Sequence, residues 1–151
     1  DGPFIPQSAA ITRYAAQLAG LTPADPYNAL LVDSYNETVN DLILLIVDTL
    51  HAPAEQRQAK REDIAQNALP KLFKYFESVI QDDKTFIVGD KISTADLSLL
   101  IVIKGWISSG ILDHIPATII DQFLRFNAYI AKLEETAEVK KYRAAAAAAK
   151  K

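Results

Sequence analysis

Apolar residues recur at three- and four-residue steps along most of the chain, the period of helices with one buried face rather than of strands. The clearest run, Leu30, Leu31, Tyr35, Val39, Leu42, Leu45, Ile46 and Thr49, predicts a long amphipathic helix. A shorter stripe, Ile11, Tyr14, Ala15 and Leu18, predicts a helix that Ser8 opens as N-cap and Gly20 closes. Between the two, Leu21 to Pro26 holds two prolines and an aspartate, a linker composition.

His51 to Gln58, with Pro53, breaks the pattern, and a second long helix is expected from about Arg61 to Gln81. Its inward positions are Ile64, Ala68, Leu72, Tyr75, Phe76 and Val79. Pro70 lies inside it, removes one helical hydrogen bond and predicts a kink, at about 3 kcal/mol if nothing compensates. Leu97 to Ile107 is apolar on every side, which predicts a helix enclosed by the others and ended by Gly110. Two further amphipathic helices follow Pro116, around Ile119 to Leu133 and Glu138 to about Ala148. The run Ala144 to Ala149 favours helix but specifies no packing.

Ahead of the helices, Asp1-Gly2 is a hairpin-turn pair and Pro3-Phe4-Ile5-Pro6 suits a short edge strand. Such a strand needs a partner for its backbone donors. The chain contains no methionine and opens with no basic-then-apolar leader, so it reads as a fragment whose partner strand lies upstream.

Composition narrows the function. At 151 residues and 50% apolar content the chain can bury a full core, and a net charge of −3 offers no basic face for a nucleic-acid backbone. With no cysteine and two histidines, His51 and His114, neither a disulfide framework nor a structural metal site is expected. The longest apolar stretches fall short of the roughly 18 to 20 residues that span a bilayer.

Ser93-Thr94-Ala95-Asp96 carries a capping-box pattern. Ser93 takes the N-cap and the Asp96 carboxylate reaches back to its N–H, so both are read as structural residues. Gln7-Ser8 admits two readings, a plain N-cap or a carboxylate site, because a helix start offers free backbone donors and a positive dipole end. Asp33, Glu37, Asp41 and Asp48 form an acidic row of the kind usually found on a solvated face.

Two stretches resemble the glutathione S-transferase superfamily. Pro6-Gln7-Ser8-Ala9-Ala10-Ile11-Thr12-Arg13-Tyr14 is similar to its Gln-Ser-x-Ala-Ile-x-Arg-Tyr pattern, and Phe86-Ile87-Val88-Gly89-Asp90-Lys91-Ile92-Ser93-Thr94-Ala95-Asp96 to its Phe-x-x-Gly-Asp-x-x-Ser/Thr-x-Ala-Asp. The resemblance implies an all-α helical domain over residues 27–151 and a linker at 21–26. Residues 1–20 would be the last strand and helix of a thioredoxin-like α/β domain.

It further implies a glutathione transferase of the cytosolic type that joins the glutathione thiolate to electrophilic small molecules as a homodimer. Gln7 and Ser8 would grip the γ-glutamyl end of glutathione. Asp41, by similarity to the pi, alpha and sigma branch, would reach it across the dimer. Tyr35, His51, Trp106 and Ile107 would line the hydrophobic co-substrate pocket. The resemblance implies no cofactor beyond glutathione as co-substrate, and a cytoplasmic location. The thiol-activating residue would lie upstream of residue 1, so the chain alone is expected to be inactive. A non-catalytic member of the same superfamily, of the elongation-factor-subunit, crystallin or assembly-scaffold kind, would carry the same motifs.

Overall fold

The computed structural model describes residues 4–148. The expected Asp1-Gly2 turn lies outside them. Helices α1 (Ser8–Ala19), α2 (Pro26–Leu50), α3 (Ala54–Asp63), α4 (Leu69–Val79), α5 (Thr94–Leu100), α6 (Leu124–Glu134) and α7 (Ala137–Ala148) follow one another in chain order. Two π-helical stretches, Ile64–Ala68 and Ile101–Ile107, join α3 to α4 and extend α5, and a 3₁₀ turn covers Ile119–Gln122. The fold is all-α, with no strand among the described residues.

Local chemistry sets most helix ends. The Asp25 side chain caps α2 by accepting from the Asn28 N–H at 2.8 Å, with Pro26 in the first turn where its missing donor costs nothing. Gly20 closes α1 in the left-handed conformation (φ 69°), and the Leu21 N–H returns to the Ala16 carbonyl at 2.9 Å. Pro70 does not break its rod. A π turn immediately precedes it, in which the Leu69 N–H reaches five residues back to the Ile64 carbonyl. The wider turn makes room for a ring that would crowd an α-helical carbonyl.

The core lies between α2, α4, α6 and the α5 segment. Val39, Leu42 and Ile46 of α2 meet Leu69, Phe73 and Phe76 of α4, Leu99 and Ile103 of the α5 segment, and Phe126, Ile130 and Leu133 of α6. Aromatic packing knits α4 to α6: Phe126 stacks on Phe76 at 5.8 Å and sits 5.2 Å from Phe73.

Several expectations change. Residues 4–7 have no regular structure and are exposed, so the edge strand is not formed, as follows for a strand with no partner to bond. Helix α3 begins at Ala54, inside the expected break, because Pro53 is tolerated at a helix start and Ala-Glu-Gln-Arg are strong helix formers. The helix expected from Ile119 to Leu133 is interrupted at Phe123, whose φ of −104° and ψ of 76° leave the helical region. The apolar α5 segment is not enclosed all round: Leu99, Ile103 and Ile107 are buried, whereas Ile101 is 59% exposed and Gly105 is bare.

Candidate functional site

Helix α1 is held to the bundle lightly. Ala16 is its one buried residue, and Ile11, Tyr14 and Leu18, the predicted apolar stripe, are exposed. Gln7, not Ser8, takes the N-cap position, at φ 74° and ψ 95°, a conformation that side chains other than glycine rarely adopt. Its carbonyl accepts from the N–H groups of Ala10 (3.1 Å) and Ile11 (3.2 Å), and its side chain makes no capping bond. Ser8 becomes the first helical residue because the turn at Gln7 has already redirected the chain. The Ser8 and Ala9 N–H groups find no acceptor among the described residues. With the Ser8 hydroxyl beside them, they make an open receptor for a carboxylate at the positive end of the helix.

Beside this start lies a cavity of about 180 Å³ between α1, α2 and α5, bordered by Ser8, Arg13, Asn36, Glu37, Asn40 and Ser98. Arg13 Nη1 meets Glu37 Oε1 across it at 3.4 Å. Asn36 stitches the helices together beneath, donating to Thr94 Oγ1 and accepting from Ser98 Oγ, both at 2.8 Å. Asp41 does not border the cavity; it is exposed on α2, and no hydrogen bond or ion pair engages it among the described residues.

The four residues expected in the co-substrate pocket are not brought together. Tyr35 is buried and packs edge-on against Tyr75 (6.2 Å) and Phe76 (5.9 Å); its hydroxyl is pushed up in pKa by burial and then by the neighbouring tyrosines. Ile107 is fully buried in the core, and Trp106 is half-buried against it. His51 is exposed at the C-cap of α2, its N–H donating to the Thr49 carbonyl. The core needs the large side chains at 35 and 107 more than any open pocket does.

Ser93 and Asp96 hold their predicted place, and the capping box is present. Asp96 Oδ2 accepts from the Ser93 N–H and Oγ, both at 2.7 Å, while Oδ1 accepts from the Ile87 N–H at 2.9 Å and from the Tyr129 hydroxyl. Sequence reading missed Tyr129, whose only signal was that a buried phenol needs a partner. It also missed buried Arg61, which donates to Thr49 Oγ1 at 2.9 Å and pairs with Asp113.

A second concavity, about 620 Å³ and mostly apolar, runs between the Ile101–Ile107 stretch and α7. Leu97, Leu100, Ile101, Val139 and Tyr142 line it, together with Leu21 of the linker. At its rim Glu134 accepts from Lys104 at 2.9 Å and Arg143 at 2.7 Å. Burial pushes the Glu134 carboxyl up in pKa, but these two cationic donors outweigh it and hold it below the usual carboxylate range.

Comparison with known proteins bears on what these features serve. Residues 40–146 match the family model described as "Glutathione S-transferase, C-terminal domain". The chain is similar to Glutathione S-transferase P of Capra hircus, 34% identical over 139 residues, covering 90% of the chain and 61% of that protein. It is similar to the Homo sapiens protein of the same name, at 33% over 141 residues with the same coverage. Among solved structures it resembles the Pi-class glutathione S-transferase of Onchocerca volvulus, with a TM-score of 0.73 and 25% identity, covering 97% of this chain and 67% of that one. The chain thus spans about three-fifths of the length of the curated relatives it matches.

Proposed function

The chain belongs to the glutathione S-transferase family through its C-terminal helical domain, and on that premise we propose that it is part of a glutathione transferase. The parent joins the glutathione thiolate to an electrophilic small molecule: the thiol proton leaves, a carbon–sulfur bond forms, and the electron pair is taken up by the leaving group or the electrophilic centre. Residues 1–20 belong to a preceding thioredoxin-like domain, 21–26 are the linker, and 27–151 the helical domain. The exposed apolar stripe of α1 supports this division, since Ile11, Tyr14 and Leu18 have no partner in the bundle.

The observation that carries the reading is the start of α1. A strained Gln7, unpaired N–H groups at Ser8 and Ala9, and a free serine hydroxyl form a receptor for a carboxylate such as that of the γ-glutamyl group. The residue that lowers the thiol pKa is supplied from upstream of residue 1. Lowering a thiol of pKa near 8.5 by about two units needs about 2.7 kcal/mol, which is within reach of a well-placed hydroxyl donor. The chain alone is therefore inactive.

The parent works as a cytoplasmic homodimer without a cofactor. The expected dimer surface is redrawn, because Tyr35, Val39 and Leu42 are committed to the core. Tyr14 and Leu18 of α1 with Tyr27 and Leu30 of α2 are the exposed apolar residues available nearby. Asp41, exposed on α2, is placed where a partner's ligand could meet it.

Calorimetry of glutathione on the full-length protein, wild type against Ser8→Ala, tests the function. Binding in the micromolar-to-millimolar range that weakens about tenfold in the variant, the loss of one charge-assisted hydrogen bond, is the expected result. Absence of binding would sink the enzyme reading in favour of a non-catalytic family member.

A further inference from the structure

The Leu97–Ile107 segment is apolar on all sides, and a helix of that kind is stable only when enclosed. One flank is not. Ile101 is 59% exposed, Gly105 presents bare backbone, and together with Leu97 and Leu100 they floor the groove of about 620 Å³ that faces Val139 and Tyr142 of α7. We propose that this groove is the docking seat of the domain that precedes the linker, which inserts uncharged apolar side chains between the Ile101–Ile107 stretch and α7. The proposal rests on the two-domain reading above.

Three observations select this occupant. The first is connectivity. Leu21 lies immediately after the Gly20 cap of α1 and itself lines the groove, so any domain that owns α1 is tethered at the groove's edge. Tethering makes docking there an intramolecular event with a high effective concentration. The second is length, since the chain spans about three-fifths of its curated relatives and matches a model of the C-terminal domain.

The third is charge. Lys104 and Arg143, the cations at the rim, both donate to Glu134. A small-ligand pocket usually presents a few free polar groups to orient its occupant. Here the rim cations are engaged with one another's counter-ion and the floor is aliphatic, which suits apolar side chains of a neighbouring domain. The same Glu134 bridge ties the π-helical stretch to α6 and α7, and so fixes the spacing of the groove's two walls.

The test is thiol accessibility in the full-length protein. Ile101→Cys introduces a probe on the groove floor, and Leu124→Cys places a control at the start of α6, where the side chain is 77% exposed. Neither site is buried in the helical domain, so neither substitution threatens its fold. Alkylation by a maleimide, followed on the peptide carrying each site, is expected to be at least about tenfold slower at position 101, the mark of a surface reached only through domain opening. Equal rates at the two positions would overturn the proposal. Protection at 101 that vanishes on dilution would assign the groove to a second copy and overturn it equally.

Glutathione titration of the same samples separates this inference from the transferase reading. Binding retained while the thiol at 101 is freely alkylated removes the docking and leaves the transferase. Protection at 101 without binding supports the docking and removes the transferase.

Discussion

The Tyr129 hydroxyl donates to Oδ1 of Asp96, joining α6 to the start of α5 across 33 residues of sequence at a carboxylate with no exposed surface. Oδ1 also takes the Ile87 N–H, and Oδ2 takes the Ser93 N–H and hydroxyl. One side chain therefore terminates the irregular segment before α5, caps that helix and anchors α6. Four donors around one carboxylate satisfy it so fully that removing its charge leaves several buried dipoles facing one another.

Asp96→Asn keeps the shape but turns one oxygen into a donor among donors. The variant is expected to lose about 3 to 5 kcal/mol of stability, measured by urea unfolding, the range for breaking a buried charged network from one side. Tyr129→Phe removes a single donor to that carboxylate and is expected to cost about 1.5 to 3 kcal/mol.

Stability at alkaline pH follows from the same contact. Burial first, then the Asp96 charge and hydrogen bond, push the Tyr129 hydroxyl far above its ordinary pKa. A group whose folded-state pKa is raised contributes fully below its unfolded value, about 10 for tyrosine, and loses that contribution as pH rises beyond it. The stability gap between wild type and Tyr129→Phe is therefore expected to be constant from pH 7 to about 9 and to narrow above about pH 10. Unfolding titrations at each pH check this; a gap that widens with pH would contradict it.

Gln7 stores strain at the start of α1. Gln7→Gly is expected to stabilise the full-length protein by about 1 kcal/mol, since glycine adopts positive φ without penalty. The same change is expected to weaken glutathione binding by loosening the N–H groups that follow. Paired unfolding and calorimetry experiments on this variant check the two opposite signs.

Chain chemistry made the outline legible where signals were local. The Asp25-Pro26 start, the Gly20 stop and the Ser93/Asp96 box each act within four residues, and each lies where its residue types require. The α2 stripe Tyr35, Val39, Leu42, Ile46 and Thr49 is buried as its period implies. What could not be read depends on distant neighbours. An edge strand at residues 4–7 exists only if another strand pairs with it. The open flank at Ile101 is set by how α7 crosses the segment, and Tyr129 could be matched to Asp96 only once α5 and α6 were adjacent. In the candidate site, Gln7 and Ser8 were visible as a motif, yet the positive φ that makes Gln7 the cap has no residue signature. Nor does spacing distinguish a pocket residue from a core residue, which is why Tyr35 and Ile107 were read as lining when they are enclosed.

The two π-helical stretches carry a consequence for how this sequence can change over time. A π turn closes its hydrogen bond over one more residue than an α turn does, so each stretch behaves as a place where the helical phase has slipped. Downstream of Ile64–Ala68, the faces that Phe73 and Phe76 present are offset from those a straight continuation of α3 would give. Loss of one residue within 64–68 would tighten the rod back to regular pitch and rotate both phenylalanines away from Phe126. The unusual turn is thus a counting device, and the aromatic packing of α4 on α6 remembers how many residues precede it.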